Sequence, residues 1–380
     1  MADDDETDAM SSRREHPSVT SAGRIADEVL FPTAQEVDRL EIVPRARFAD
    51  LASAGLFGIA GPSGVDPHVA RRTMATIAGG CGVTFFCWVQ HHGVVRTIAD
   101  SPNEELRARW LAPMCAGGRL AGVAFAHLRR RDRPSVTATR VDDGWRLDGF
   151  APWATSWGVA DVFAVAAATD DGSIVWLLVD GAPQEGLVTS PLHLPVLSAT
   201  GTVSMRFEGL VVPDDGVASI GDLEAWRRSD RRRAAPGAPA VLGVADRAVR
   251  LLRDAARSDD DPATETAARL ADELEACWRR DDDVVAELAA SATDEGDDHD
   301  DDHTTTDTDA ALVGAASEHR AHCLALGEEC TRALLAATGG GGMDLAHPAR
   351  RLAREALFYV IQAQTDDGRN ATLRSIRPAR

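Results

Sequence analysis

A block of β-type runs, residues 119–217, lies between two long stretches of helical spacing, and this order is what most constrains the chain. The runs at 135–141 (SVTATRV), 144–150 (GWRLDGF), 161–167 (DVFAVAA), 173–179 (SIVWLLV), 186–189 and 202–212 (TVSMRFEGLVV) are parted by Asp-Asp-Gly, Asp-Gly and Trp-Gly turn signals. Upstream, residues 23–60, 67–78, 83–101 and 103–116 carry apolar positions at helical spacing. Asn103 followed by Glu104 and Glu105 reads as an N-cap with acids in the first turn. Downstream, helical spacing returns from about residue 234. The reading is an α+β multidomain protein. It has a disordered tail at 1–22, an N-terminal α-helical domain at 23–118, and a middle β barrel or sandwich domain at 119–217. A C-terminal α-helical bundle follows at 218–380, broken by an acidic insert at 293–309.

Composition narrows the function classes. Hydrophobic residues make up 44 % of the 380, which suits a globular chain with a sizeable core. The longest apolar run, near 174–179, is strand-sized, so no membrane span is expected. The start, MADDDETDAM, is acidic, the reverse of a signal peptide, and a cytoplasmic location is the expectation. The formal charge is −20, and all 40 basic residues are Arg, with Lys absent. Such a surface suits high salt, because carboxylates hold water and ions while Lys exposes a long apolar stem. The charge also argues against binding nucleic acid. Six scattered Cys, with no CxxC pair, read as buried free thiols. The insert TDEGDDHDDDHTTTDTD reads as a solvated loop. Nothing there fixes ligand geometry for His299 and His303, and no metal is expected.

Three words carry a resemblance. The first is Trp153-Ala154-Thr155-Ser156 with Ala160-Asp161-Val162-Phe163. The second runs from Thr200-Gly201-Thr202 to Phe207-Glu208-Gly209-Leu210-Val211-Val212-Pro213. The third is Gly339-Gly340-Gly341-Gly342-Met343 followed by Arg351, Arg354 and Glu355. Taken singly, each has a plain reading, such as a core Trp or a flexible loop. In this order, on this architecture, they resemble the acyl-CoA dehydrogenase flavoproteins over roughly residues 24–378, excluding the acidic insert. The resemblance implies FAD as cofactor, with FMN or reduced flavin as a co-substrate in the alternative. It places Phe125, Ala126, Trp153, Thr155 and Ser156 at the flavin, and Gly339, Gly340, Gly342 and Thr365 along the dinucleotide. It also implies a small-molecule substrate of acyl-CoA type, a homo-oligomer, and an electron-transfer flavoprotein or a flavin reductase as redox partner.

The chain departs from the family where the chemistry is done. Removing an α-proton from an acyl thioester needs a carboxylate base. The family's Y-E-G-T word corresponds to Gln362-Ala363-Gln364-Thr365, which puts Ala363 at the Glu position, and the alternative Glu position falls at about Arg233. Asp230 is the nearest acid. His92, in Gln90-His91-His92-Gly93, is the other proton-transfer candidate, with His91 expected to face solvent. The family's T-E-P-x-x-G-S-D word is replaced by Ala126-His127-Leu128-Arg129-Arg130-Arg131-Asp132. Arg129, Arg130 and Arg131 are candidates for a CoA or flavin phosphate. The leading expectation is a flavin-dependent oxidoreductase acting on the CH–CH group of an acyl thioester. The alternatives are a monooxygenase of the same fold using reduced flavin and oxygen, and a non-catalytic relative that binds acyl-CoA or a partner.

Overall fold

The computed structural model describes residues 13, 15–130, 135–294 and 302–376, with side chains outside 292–308. It divides into two compact units, Met1–Arg227 and Arg228–Arg380. The first unit opens with α1 (Pro17–Ile25), which starts inside the stretch read as tail because His16 Nδ1 accepts from Ser18 N and Pro17 opens the first turn. A π-helical turn leads into α2 (Phe31–Val37), which holds Pro32 in its first turn, where the missing N–H costs nothing. The helices α3 (Ala49–Ser53), α4 (Pro67–Gly80), α5 (Gly82–Ala99) and α6 (Glu104–Cys115) follow. Asn103 Oδ1 accepts from Leu106 N at 3.0 Å, so the expected cap is in place. None of the described helices is long and apolar enough to cross a membrane.

The strands are β1 (Ala121–Ala124), β2 (Val136–Val141), β3 (Gly144–Ala154), β4 (Val162–Ala168), β5 (Ser173–Asp180), β6 (Leu187–Pro191), β7 (Val203–Pro213) and β8 (Val217–Asp222). They form one hydrogen-bonded sheet in the order β6-β7-β3-β2-β4-β5-β8, with β1 parallel to β4. The expected barrel or sandwich is thus a single continuous sheet. It curls, since β5 and β7 meet without being neighbours in it. Its inner face buries Leu147, Phe163, Val165, Val175, Leu177, Met205 and Phe207, each large apolar side chain contributing about 1.5–3 kcal/mol. The outer face is covered by helix. Val94, Val95 and Ile98 of α5 and Leu106 and Met114 of α6 pack on Ala121, Val162, Ala164 and Leu178. Strand β8 has no counterpart among the runs read from the sequence, because its polar end, Gly221-Asp222, breaks the alternation.

Helix α7 (Leu223–Ala234) crosses the division, and the second unit continues with α8 (Pro239–Ala255), α9 (Pro262–Asp294), α10 (Asp302–Thr338), α11 (Pro348–Tyr359) and α12 (Asp366–Ser375). Helix α8 buries Val241, Leu242, Val244, Ala245, Ala248, Val249 and Leu252. Gly327 lets α10 approach α8, since a Cβ there would overlap Val241 Cγ2. Helix α10 begins at Asp302, within the segment read as a solvated loop. His299 lies outside the described residues.

Candidate functional site

Strand β3 ends at Ala154, and the next residues turn sharply. Ser156 N donates to Thr200 O and Trp157 N donates to Gly201 O, each at 2.9 Å. Three hydroxyls meet behind this corner. Thr200 Oγ1 donates to Leu197 O at 2.7 Å, and Thr202 Oγ1 lies 2.8 Å from Thr200 Oγ1 and 3.1 Å from Thr155 Oγ1. From α5, the Cys87 thiol reaches Thr200 O. Burial pushes that thiol up to about 12, so it is an inert packing group rather than a nucleophile. Thr155 and Ser156 are buried, whereas the Trp153 indole beside them is 45 % exposed. Trp153 is therefore not a core aromatic. Its indole is open to solvent two residues before the buried Thr155. Gly122 of β1 supports the corner from below, and a Cβ there would overlap the Phe163 ring and lie 2.7 Å from Thr155 O. Gly122→Ala should cost about 1–3 kcal/mol by overpacking. A urea midpoint equal to wild type would refute this role.

Ala126 and Arg129 bound a short 3-10 turn, Ala126–Arg129, that Phe125 and Arg130 flank. His127 Nε2–H donates to Ala166 O at 2.9 Å and fastens the turn to β4. The Phe125 ring packs against Trp176 and Trp226, and the Arg129 guanidinium stands 5.1 Å above it. Phe125 thus serves an aromatic cluster with its ring and offers only its backbone elsewhere. Arg130 is exposed, and Arg131 lies outside the described residues.

His91 does not face solvent. It is fully buried, and its Nδ1 accepts from Ala121 N at 3.2 Å, joining α5 to β1. The partly exposed face of α5 runs through Phe86, Val89, Gln90, Gly93 and Arg96, whereas His91 lies on the buried side with its ring 5.0 Å from that of Phe57. His92 is also buried, with its ring edge-on to Trp88 at 4.4 Å. Burial drives the His91 ring down to about 4, against the pull of the Met114 carbonyl. The same burial, with His91 and Arg96 nearby, holds His92 well below its ordinary value. Both rings are neutral at pH 7. They can hydrogen-bond, but holding a positive charge there is costly.

In the second unit, Asp230 is buried on α7 and engaged by neighbours. Gly339–Met343 form a 3-10 turn after α10. Gly339 has φ 57°, and Cβ atoms at Gly339, Gly340 and Gly341 would meet nothing within 4 Å, whereas Gly342 is buried against Thr338. Thr365 caps α12, accepting from Gly368 N at 3.2 Å. Arg351 and Glu355 form a buried pair on α11 at 2.7 Å. Ala363, at the position where a Glu was sought, has φ 52°.

Among the described residues, the non-glycine residues with positive φ are Ser156, Leu197 and Ala363. Such backbone costs on the order of 1–3 kcal/mol and gathers at functional sites. Two of the three sit in the hydroxyl corner, and the third stands where the family resemblance sought a catalytic acid. Sequence reasoning reached Thr155 and Ser156 but assigned no site role to Leu197, Thr200 or Thr202. The available signal was the pair of hydroxyls flanking Gly201 at the mouth of β7.

Comparison with known proteins bears on the fold. A sequence model described as acyl-CoA dehydrogenase, N-terminal domain, matches residues 15–118. Benzylmalonyl-CoA dehydrogenase of Aromatoleum aromaticum is 29 % identical over 208 residues, which is 50 % of this chain and 53 % of that protein. The chain spans about half the length of the curated relatives it matches. A probable acyl-CoA dehydrogenase from Mycobacterium abscessus superposes with TM-score 0.76 at 18 % identity, covering 96 % of this chain and 98 % of that one. Glutaryl-CoA dehydrogenase from Mycobacterium smegmatis, solved with FADH2, gives TM-score 0.71 at 16 % identity, covering 97 % and 95 %. The fold is that of the acyl-CoA dehydrogenases. The domain match over residues 15–118 and the curated relatives are likewise to acyl-CoA dehydrogenases.

Proposed function

We propose that this chain is a flavin-dependent oxidoreductase of acyl-CoA dehydrogenase type, acting on the CH–CH group of an acyl thioester with FAD as cofactor. The observation that supports it most is the strained corner, where Ser156 and Leu197 hold positive φ beside the buried Thr155 hydroxyl and the exposed Trp153 indole. These residues suit a flat aromatic ring with one polar edge. The open glycine turn suits a backbone-bound dinucleotide. Trp153, Thr155 and Ser156 would hold the ring, with Phe125 and Ala126 lining it by backbone. Gly339, Gly340, Gly342 and Thr365 would take the nucleotide part. Arg129 and Arg130 would take a phosphate. When bound, FAD supplies the hydride acceptor. The proton is the chain's own task, and Ala363 and Arg233 cannot take it. The buried neutral His92 is suited to orient a substrate oxygen, which leaves Asp230 as the carboxylate candidate. The reading extends to a cytoplasmic, salt-adapted homo-oligomer, to which exposed Leu357, Ile361 and Ile376 in the second unit lend an apolar surface.

Ala363 favours a second reading. Without a carboxylate at that position, a monooxygenase fed reduced flavin by a separate reductase needs no α-proton abstraction.

The test is an absorbance spectrum of protein purified in concentrated KCl, before and after adding FAD. A flavin band should titrate in, and Trp153→Ala should weaken it at least tenfold. Bleaching by an acyl-CoA without oxygen supports the dehydrogenase. Product that appears only with oxygen and supplied reduced flavin supports the monooxygenase. A folded protein that takes up no flavin overturns both.

A further inference from the structure

The three threonine hydroxyls at the corner form a chain whose direction is set at one end. A hydroxyl carries one hydrogen and two lone pairs. Thr200 Oγ1 gives its hydrogen to Leu197 O, a carbonyl that can only accept. Thr200 Oγ1 must therefore accept from Thr202 Oγ1, 2.8 Å away. The hydrogen of Thr202 is then spent, so Thr202 Oγ1 accepts from Thr155 Oγ1 at 3.1 Å. The Thr155 hydrogen points inward, and its outward side carries lone pairs alone. Leu197 is held at φ 55° and Gly201 at φ 60°, so the local backbone keeps the anchoring carbonyl and the start of β7 in this relation. All three hydroxyls are buried, and water does not compete for them.

We infer that Leu197, Thr200 and Thr202 preset Thr155 as an obligate hydrogen-bond acceptor, so that the corner holds reduced flavin more tightly than oxidised flavin. The inference rests on the proposal that the ring edge of a flavin meets Thr155. Reduction places a hydrogen on ring N5, giving that edge a donor. In the oxidised ring N5 has only a lone pair, and two acceptors facing each other repel. Thr200 and Thr202 are positioning residues here, since they touch Thr155 and not the ligand. By linkage, tighter binding of the reduced form raises the potential of the bound flavin, a tenfold preference corresponding to about 30 mV for a two-electron couple.

The experiment measures FAD affinity anaerobically in concentrated KCl, oxidised and then dithionite-reduced, by tryptophan fluorescence, together with the potential of the bound flavin. Wild type should bind the reduced form at least tenfold more tightly. Thr200→Val removes the anchor and lets Thr202 turn its hydrogen to Thr155, which is then released to donate outward. The preference should collapse to near unity. Thr200→Ser keeps the hydroxyl and should restore it. A purely structural role would weaken both redox forms alike and leave the ratio unchanged. Thr202→Val breaks the chain at its second link and should also abolish the preference, giving an independent variant if Thr200→Val does not fold. Equal binding of the two forms by wild type, or a ratio untouched by either valine variant, overturns the inference while the flavin reading stands. Failure to bind either form overturns the flavin reading, and the inference falls with it.

Discussion

Acidification from pH 6.5 to 4.5 should strip the first unit of several kcal/mol of stability. Three imidazoles are responsible. His91 and His127 are pushed down to about 4, by burial first, and His92 is also lowered well below its ordinary value. In the unfolded chain each takes up a proton near pH 6.5. In the folded chain each stays neutral until much lower pH. Between the two values the unfolded state binds more protons, so stability is full above about pH 6.5 and drains away as pH falls toward 4. A shift from 6.5 to about 4 is worth on the order of 3 kcal/mol per ring. Both rings are almost wholly buried, so solvent screening takes little off this figure. The Asp161 carboxylate does not explain the same window. Burial pushes the Asp161 carboxyl up, but hydrogen bonds from Arg45 and Leu120 N and the Arg45 charge bring it below its usual value. The measurement is urea unfolding at fixed high salt across pH 7 to 4.5, followed by far-UV signal. The expected slope is about 1.4 kcal/mol per pH unit for each ring. His127→Gln keeps a donor for Ala166 O and should remove one ring's share of the slope. A stability that stays level from pH 6.5 to 4.5 would show that these rings are not held neutral.

The same histidines mark where sequence reading succeeds and where it stops. Strands β2 to β7 were legible because alternation and turn chemistry are local, and local signals survive in a linear text. The Asn103 cap was legible for the same reason. The burial of His91 was not, because the outer face of α5 itself carries Phe86 and Val89, so apolar residues run round most of the helix and the pattern does not tell inward from outward. Trp153 and Thr155 could be picked out through family resemblance. The hydroxyl chain behind them could not, since Thr155 and Thr202 lie 47 residues apart and meet only once β3 and β7 have paired. Strain was equally silent. Nothing in the letters Leu197 or Ala363 announces a left-handed backbone, and that conformation is what sets these positions apart.

Glu355→Ala should destabilise the second unit by about 3–5 kcal/mol, even though Glu355 was singled out as part of a cofactor signature. The carboxylate lies 2.7 Å from Arg351, one turn away on α11, and the two side chains are 1 % and 3 % exposed. Spacing i to i+4 brings the pair together locally, and burial then raises the stakes. In water such a pair is worth a few tenths of a kcal/mol, because solvent competes for both charges. Here solvent has been removed, so deleting the carboxylate leaves a guanidinium in a dry interior with a vacated partner. The cost is that of a buried charge that has lost its Glu355 partner rather than the worth of the bond. The same logic sets the outcome of a double-mutant cycle. Arg351→Leu with Glu355→Leu removes both charges and should cost less than either single change. Guanidinium-induced unfolding of the four proteins supplies the comparison. If the double variant loses as much as the sum of the singles, the two residues act independently. Their place in the glycine-turn signature would then reflect contact with something other than each other.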